Sequence, residues 1–216
     1  FSLCGITLVN IGPLTRFGEF AERSPASLND ASGWLELFVH QRFFVLFSLL
    51  FGIGFALFFS SAQRRTERPR LALLRRLLLL LAIGSPFEIL MPGSALLPYA
   101  IVGLVVLLPC TWLPRWLVAL AGVAHVAGAL ALDGGLLLIP GLFLMGAALT
   151  RYGVVSRLGV SRTGSALAFL AFAFASIPAL LWQLSDGVEA SGFTMSSAVA
   201  GFTLAGAYLS LLSLLM

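Results

Sequence analysis

The chain has 216 residues, 59% hydrophobic and only 10% charged, with a net charge of +4 and a pI of about 9.8. Ordinary soluble domains carry about 25% charged residues, so this composition excludes a soluble domain, which could not cover its surface. Nucleic-acid binding is also disfavoured, because the arginines lie at the ends of apolar segments, where membrane helices are anchored. The sequence predicts an all-α fold, a polytopic transmembrane helical bundle in a single domain over residues 1–216.

The N-terminal residues form one apolar segment and one long loop. Residues 1–14 are interpreted as the tail of a helix, and residues 15–42 as an extracytoplasmic loop of mixed charge. Within this loop, the segment WLELFVHQRFF at 34–44 has apolar residues at helical spacing, which predicts an amphipathic helix at the membrane interface. Because apolar runs are cut at both chain ends, we expect the sequence to be a fragment of a longer membrane protein.

The strongest membrane signal lies between residues 42 and 76. Residues 43–62 are twenty positions without a formal charge, and at about 1.5 Å per residue they cross the roughly 30 Å hydrocarbon core of a bilayer. Six arginines follow at once: Arg64, Arg65, Arg68, Arg70, Arg75 and Arg76. An uncharged segment that ends in an arginine cluster is typical of a transmembrane helix with a cytoplasmic anchor.

Further apolar segments extend this pattern to about eight spans. After the helix tail and 43–62, the predicted spans are 71–90, 95–113, 116–132, 136–149, 165–184 and a last one from about 193. Alternate loops, including the basic loops 63–70 and 150–164, hold ten arginines against Glu67 alone. The other loops hold three arginines against the eight remaining acids, so the arginine-rich loops are predicted to be cytoplasmic.

Small residues recur inside two of the predicted spans. Ser48, Gly52 and Gly54 lie in the 43–62 span, and Gly201 and Gly206 in the last one. Small residues allow membrane helices to approach closely, so we interpret these positions as helix-packing sites.

Two other polar side chains receive structural interpretations. His125 has no carboxylate in its own span, so we expect a buried, hydrogen-bonded residue rather than a proton relay. Gln183 lies near the end of the 165–184 span and is expected at the membrane interface.

Glu88 is the most informative charge, because it lies near the outer end of the 71–90 span, just after Pro86. An acid near hydrocarbon depth is costly and indicates a functional site. The alternative is that Glu88 reaches the outer headgroups or pairs with Arg42 at the outer end of the 43–62 span. Pro86 adds a second polar feature, since it frees a backbone carbonyl in the preceding turn.

No catalytic, metal or cofactor signature accompanies these residues. The sequence has no paired carboxylates, metal-ligand cluster, Ser/His/Asp set or phosphate-binding glycine loop. Cys4 and Cys110 are both expected near cytoplasmic helix ends, which disfavours a disulfide. We therefore expect no cofactor and no metal, and the lipid bilayer is the one partner that the sequence predicts directly.

Four segments resemble the YeiB-like family of bacterial multi-pass membrane proteins, a domain of unknown function. They are GITLVNI (5–11), RFFVLFSLLFGIGFAL (42–57), RRLLLLLAIGSPFEILMPGSALLPYAIVGLVVLL (75–108) and PGLFLMGAALTRYGVV (140–155). The resemblance is most specific in FSLLFGIGF. It implies a location in the bacterial inner membrane and, because the family is distantly similar to membrane acyltransferases, an acyl-transfer ancestry.

The sequence departs from the family pattern at two positions. Family members carry a His after the Ile-Gly of the 71–90 span and an Asp after the next Pro-Gly turn, where this chain has Phe87 and Ser94. Phenylalanine cannot act as a general base, and a serine without a base is a poor substitute for a carboxylate. Glu88 lies one position later, about 100° around the helix axis. The resemblance therefore leaves open whether this chain is an enzyme, and it implies an altered site.

The leading hypothesis is a protein that handles acyl or polyprenyl-linked envelope-lipid groups near the outer ends of the spans 43–62, 71–90 and 95–113. The candidate site consists of Glu88 as the acid, Arg42 as the substrate anchor, and Ser94 and Tyr99 as hydroxyl donors.

Two other functions remain open. A transporter or exporter component is one, because Pro86 and Pro140 beside glycine-containing segments are typical of broken helices that line substrate sites. A non-catalytic structural subunit is the other, and the absence of the family's His and Asp favours it.

Overall fold

The computed structural model describes residues 41–90, 96–132, 135–157, 162–186 and 194–215, and no strand occurs among them. The all-α prediction is confirmed for this part of the chain. The predicted helix tail at 1–14, the loop at 15–42 apart from its last two residues, and most of the amphipathic helix at 34–44 lie outside the described residues.

Eight helices account for almost all of the described residues. They are α1 (Gln41–Arg65), α2 (Pro69–Leu90), α3 (Leu96–Cys110), α4 (Arg115–Ala131), α5 (Leu138–Arg151), α6 (Val154–Arg157), α7 (Arg162–Asp186) and α8 (Met195–Leu215). A 3-10 turn, Gly135–Leu137, leads into α5, and its first residue has a φ of 64°, which favours glycine. Each predicted span from residue 43 onward corresponds to one long helix. The predicted basic loop 150–164 differs, because it contains the short helix α6 and the start of α7.

Three of the described helices are long and apolar enough to cross a membrane: Phe44–Arg65 within α1, and the whole of α7 and α8. The predicted number of about eight spans is larger than this. The apolar helices α3, α4 and α5 are shorter, and the 17 residues of α4 reach only about 26 Å. Helix α2 is long, but Arg70, Arg75, Arg76 and Glu88 lie within it.

Helix α3 is not a regular α-helix along its whole length. Residues Gly103–Leu107 form a π-helical segment, which ends where the Leu108 N–H donates to the carbonyl of Gly103. Pro109 follows directly. A proline lacks an N–H and its ring crowds the carbonyl four residues earlier, so the wider turn lies where a regular α-helix would be disturbed.

The described residues divide into two compact units. Unit 1 takes its described residues from Phe1–Phe47, Ala129–Gly135 and Ser156–Met216, and unit 2 from Ser48–Gly128 and Leu136–Val155. Helix α1 contributes its first turns to unit 1 and the rest to unit 2. The single domain expected from the sequence stays a prediction.

Unit 2 is built around α5, most of which is buried. A Cβ atom added at Gly52 of α1 would meet the carbonyl oxygen of Phe143, and one added at Gly146 would meet the carbonyl oxygen of Leu49. The two glycines therefore allow the backbones of α1 and α5 to touch, as predicted for Gly52. Gly54 is different, since no atom lies within 4 Å of the position that its Cβ would take.

Unit 1 is dominated by the pairing of α7 with α8. A Cβ at Gly206 of α8 would overlap the ring of Phe172 of α7, so this glycine packs closely, as predicted. The hydroxyl oxygens of Ser165 and Ser213 lie 2.8 Å apart across the same pair of helices. Helices whose contacts consist of small residues and hydroxyl groups are typical of membrane bundles.

Unit 2 also contains three arginines that lie over aromatic rings. The pairs, with the distance from guanidinium carbon to ring centroid, are Arg70 with Trp112 (4.5 Å), Arg76 with Phe58 (4.9 Å) and Arg115 with Tyr152 (5.3 Å). Each pair joins two different segments of the chain, so these arginines contribute packing as well as charge.

Candidate functional site

Arg42, the predicted substrate anchor, lies in the first turn of α1 and is fully buried, with 0% of its surface exposed. Its Nη2 donates a hydrogen bond of 2.6 Å to Oε1 of Gln183 in α7. Burying a charged group is costly unless it is hydrogen-bonded, and the Gln183 amide oxygen supplies such a bond. Arg42 lies just before the membrane-length segment Phe44–Arg65 of α1, and a guanidinium enclosed at the end of such a segment indicates function.

Tyr208 of α8 completes a small polar cluster in unit 1. Tyr208 is half-buried, and its hydroxyl group lies within electrostatic reach of the Arg42 guanidinium. We call Arg42, Gln183 and Tyr208 the arginine cluster. Three helices, α1, α7 and α8, each contribute one residue to it.

The chemistry available to the arginine cluster is binding of an anion. A guanidinium has five N–H donors in a planar fork that matches the oxygens of a carboxylate or a phosphate. The amide of Gln183 and the hydroxyl of Tyr208 can each donate or accept a further hydrogen bond. None of the three residues is a general base at neutral pH, so the cluster by itself binds rather than transfers protons.

Tyr99, a predicted hydroxyl donor, is buried in unit 2 with 2% of its surface exposed. Its hydroxyl oxygen lies 2.5 Å from the Oγ of Ser48, which is itself fully buried. The Tyr99 ring meets Phe51 and Phe143 edge to face, with centroids 5.6 and 5.1 Å away. This hydroxyl is therefore engaged inside the protein, in a close-packed aromatic group that ties α3 to α1 and α5.

Glu88 lies near the end of α2 and is half-buried. It belongs to unit 2, as does Tyr99, whereas Arg42 belongs to unit 1. Ser94, the second predicted hydroxyl donor, lies outside the described residues. Among the predicted site residues, Arg42 contacts Gln183 and Tyr99 contacts Ser48.

Gln183 lies in the last turn of α7 with only 4% of its surface exposed, so it packs inside the protein, and its location at the membrane interface stays a prediction. The buried polar and small residues Ser176, Ala179 and Gln183 follow one another at helical spacing along α7. This spacing is visible in the sequence and was the signal that a glutamine on this face packs inside the protein.

The expectation that His125 is buried is wrong, although it does have a hydrogen-bond partner. Its ring is exposed, and Nε2 lies 3.0 Å from the carbonyl oxygen of Leu137. That carbonyl belongs to the 3-10 turn before α5, so His125 links α4 to this turn.

Arg151 of α5 forms hydrogen bonds at the C-terminal end of α3. Its two terminal nitrogens donate 2.9 Å hydrogen bonds to the carbonyl oxygens of Leu113 and Cys110, the second of which also accepts a bond from the Leu113 N–H. Cys110 is buried and forms no disulfide. Among the described residues, no three His, Cys, Asp or Glu side chains lie together as metal ligands would.

Comparison with known proteins gives one informative match. The chain is 41% identical over 110 residues to the "Uncharacterized 39.9 kDa protein in amylase 3'region" of Bacillus acidopullulyticus. The match covers 50% of this chain and 30% of that protein, so the chain spans less than a third of the relative's length in the aligned part. No protein family model matches the chain, and no solved structure matches it.

Proposed function

We propose that this chain is part of a multi-pass bacterial inner-membrane protein of the YeiB-like family that binds an acyl or envelope-lipid substrate through an anionic group. The observation that carries the proposal is the burial of Arg42 in the first turn of α1, two residues before the membrane-length segment Phe44–Arg65, with its guanidinium hydrogen-bonded to Gln183. Ionisable residues at such positions mark substrate pathways and ligand sites. The four segments at 5–11, 42–57, 75–108 and 140–155 support the family assignment.

The substrate class follows from the arginine cluster. A planar guanidinium beside an amide and a phenol suits the phosphate of a polyprenyl-linked or phospholipid headgroup, or the carboxylate of a fatty acid. The surrounding helices supply the apolar environment that an acyl or prenyl chain requires.

The proposal assigns binding to Arg42 and leaves acyl transfer to residues that have yet to be placed against it. Glu88 is the candidate acid or base, and Ser94 the candidate hydroxyl. With Phe87 at the position of the family's histidine, this chain binds the substrate in our proposal whether or not it transforms it.

The proposed membrane topology is based on the distribution of arginines between alternate loops. The loops 63–70 and 150–164 face the cytoplasm, and helices α2, α3, α4 and α5 lie in the bilayer together with α1, α7 and α8. With the apolar segment at 1–14, this arrangement has about eight spans, as the apolar pattern predicts.

A non-catalytic structural subunit is the second candidate. It is favoured by Tyr99, whose hydroxyl is bonded to Ser48 within a closed aromatic group rather than directed to a cavity. In that case the arginine cluster would serve helix association alone.

Lipid analysis of purified protein separates the two functions. The full-length protein and its Arg42→Gln variant would be purified in nanodiscs, and the co-purifying lipids identified by mass spectrometry. We expect a polyprenyl-linked or acylated species in the wild type and its loss in Arg42→Gln. The matched control is Arg65→Gln, which removes an exposed arginine from the other end of the same helix.

If Arg42→Gln does not fold, Arg42→Lys keeps the charge but removes the planar fork, and a weakened but detectable substrate signal is then expected. Identical bulk phospholipid in all folded variants would overturn substrate binding by the arginine cluster and favour the structural subunit.

A further inference from the structure

A narrow groove lies between α1 and α2 in unit 2, with a volume of about 340 Å³. Its walls are formed by apolar side chains, including Leu50 of α1 and Leu73, Leu80 and Ile83 of α2. Ile83 is 61% exposed, so the groove opens to the surroundings of the protein. Its length along α2, from Leu73 to Ile83, is about 15 Å.

The groove has space at Gly54 because this residue has no side chain to fill it. It lines the groove from the α1 side, and no atom lies within 4 Å of the position that its Cβ would take. Gly52, one of the neighbouring glycines, is instead packed against α5. The two glycines thus serve different purposes, since one brings helices together and the other leaves a space between them.

One end of the groove is positively charged. Arg76 is its only charged lining residue, and the guanidinium lies over the ring of Phe58 of α1, 4.9 Å from the ring centroid. Arg76 therefore reaches from α2 across to α1 at the end of the groove nearest the connecting loop. Further arginines of that loop and its flanking turns add to the positive potential there.

We infer that this groove binds one acyl chain of an anionic phospholipid, with the headgroup phosphate on Arg76. The apolar walls match a hydrocarbon chain, and the guanidinium matches a phosphate. Basic pockets between membrane helices on the cytoplasmic side bind such headgroups.

This site goes beyond the proposed function. None of the three residues of the arginine cluster lines the groove, and the two sites belong to different units. A substitution that removes binding at one site therefore still allows binding at the other site to be measured.

Lipid occupancy in nanodiscs of phosphatidylglycerol and phosphatidylcholine tests the inference. Retained lipid per protein would be counted by native mass spectrometry for the full-length protein and four variants. Gly54→Leu fills the groove, and Gly128→Leu is its matched control, because Gly128 of α4 likewise has no atom within 4 Å of its Cβ position. Arg76→Gln removes the phosphate ligand, and Arg75→Gln removes the adjacent arginine, which does not line the groove.

We expect Gly54→Leu to abolish retention of both lipids at this site and Gly128→Leu to leave it unchanged. Arg76→Gln should weaken phosphatidylglycerol binding about five-fold and should weaken binding of phosphatidylcholine, whose phosphate is offset by choline, to a lesser extent. Arg75→Gln should have a smaller effect than Arg76→Gln on phosphatidylglycerol. Thermal melting in the same nanodiscs checks the fold, and Gly54→Met replaces Gly54→Leu if the latter does not fold.

Equal retention in Gly54→Leu and Gly128→Leu would overturn the groove as the lipid site. Equal loss in Arg76→Gln and Arg75→Gln would overturn the assignment of the phosphate to Arg76.

Discussion

The guanidinium of Arg42 donates a 2.6 Å hydrogen bond to the side-chain oxygen of Gln183, which joins the first turn of α1 to the last turn of α7. The two residues are 141 positions apart in the sequence, so this bond closes a long loop of the chain. Both side chains are buried, and the loss of either one removes a bond that water does not readily replace.

We predict that Gln183→Leu destabilises the protein by about 1–3 kcal/mol, because a buried charged donor loses its acceptor. Gln183→Glu keeps an acceptor oxygen and should be less destabilising. The free energy of unfolding, measured by denaturation in mixed micelles, checks both variants. A Gln183→Leu variant as stable as wild type would show that the bond contributes nothing to the fold.

Substitutions at Gly52 and Gly54 of α1 should have different effects on stability, because Gly52 packs against another helix and Gly54 borders an open space. Gly52→Ala is expected to cost about 1–3 kcal/mol, because its methyl group would meet the backbone of Phe143. Gly54→Ala meets no atom within 4 Å and should be neutral or stabilising by up to about 1 kcal/mol through helix propensity. Thermal melting of the two variants in one detergent makes the comparison. The prediction fails if both variants have the same melting temperature.

The hydrogen bond between Ser48 and Tyr99 is suited to a double-mutant cycle. Ser48→Ala and Tyr99→Phe each remove one hydroxyl and leave the aromatic packing of Tyr99 in place. Their coupling energy should be about 0.6 kcal/mol, the average for hydrogen bonds between membrane helices. Unfolding of the two single variants and the double variant gives this value, and strictly additive effects would argue against the bond.

Arg151 should protect the thiol of Cys110, which is 1% exposed. In a Cys4→Ser background Cys110 is the only thiol, and its maleimide labelling rate reports on the end of α3. We expect Arg151→Gln to raise this rate at least about ten-fold, since a hydrogen bond from a charged donor contributes about 1.5–3 kcal/mol.

Arg115→Gln is the control for this experiment, because it removes the same charge from the contact with Tyr152 and no bond to α3. Equal labelling in both variants would mean that charge, rather than the capping of α3, controls access to the thiol.

The orientation predicted from the arginines can be measured at Thr66, which is exposed in the turn between α1 and α2. In a cysteine-free background, Thr66→Cys should be labelled by a membrane-impermeant maleimide in inverted vesicles and not in intact spheroplasts. A residue in the loop 187–193 serves as the control with the opposite expectation. Labelling of Thr66→Cys in spheroplasts would reverse the assignment of the two sides.

The long helices were predictable because their signal is local. An uncharged run such as 43–62 and the arginines after it define α1 without knowledge of any other segment. The same reasoning placed α7 and α8 to within a few residues. It overestimated the number of membrane-length helices, because it counted short apolar runs such as 116–132 and 136–149 and the arginine-containing run 71–90 as spans.

The side-chain contacts were less predictable, because they depend on which face of a helix meets which neighbour. Gly52 and Gly54 look alike in the sequence, yet they point to different sides of α1 and only Gly52 packs against α5. Arg42 was identified as a candidate from its charge, whereas nothing in the sequence linked it to Gln183, its partner 141 positions away. Glutamine is common at helix ends, and only the helical spacing of small residues before it indicated burial.

The stacking of arginines on aromatic rings has a consequence for how unit 2 is held in a membrane. A guanidinium that lies over Trp112, Phe58 or Tyr152 keeps its charge while one face is covered by the ring. In a bilayer such pairs belong at the headgroup level, where rings and arginines both concentrate. Because arginine stays protonated at any physiological pH, the depth of this unit is set by contacts that do not titrate. Lysine would preserve the charge but lose the flat contact, and the unit would then be freer to tilt.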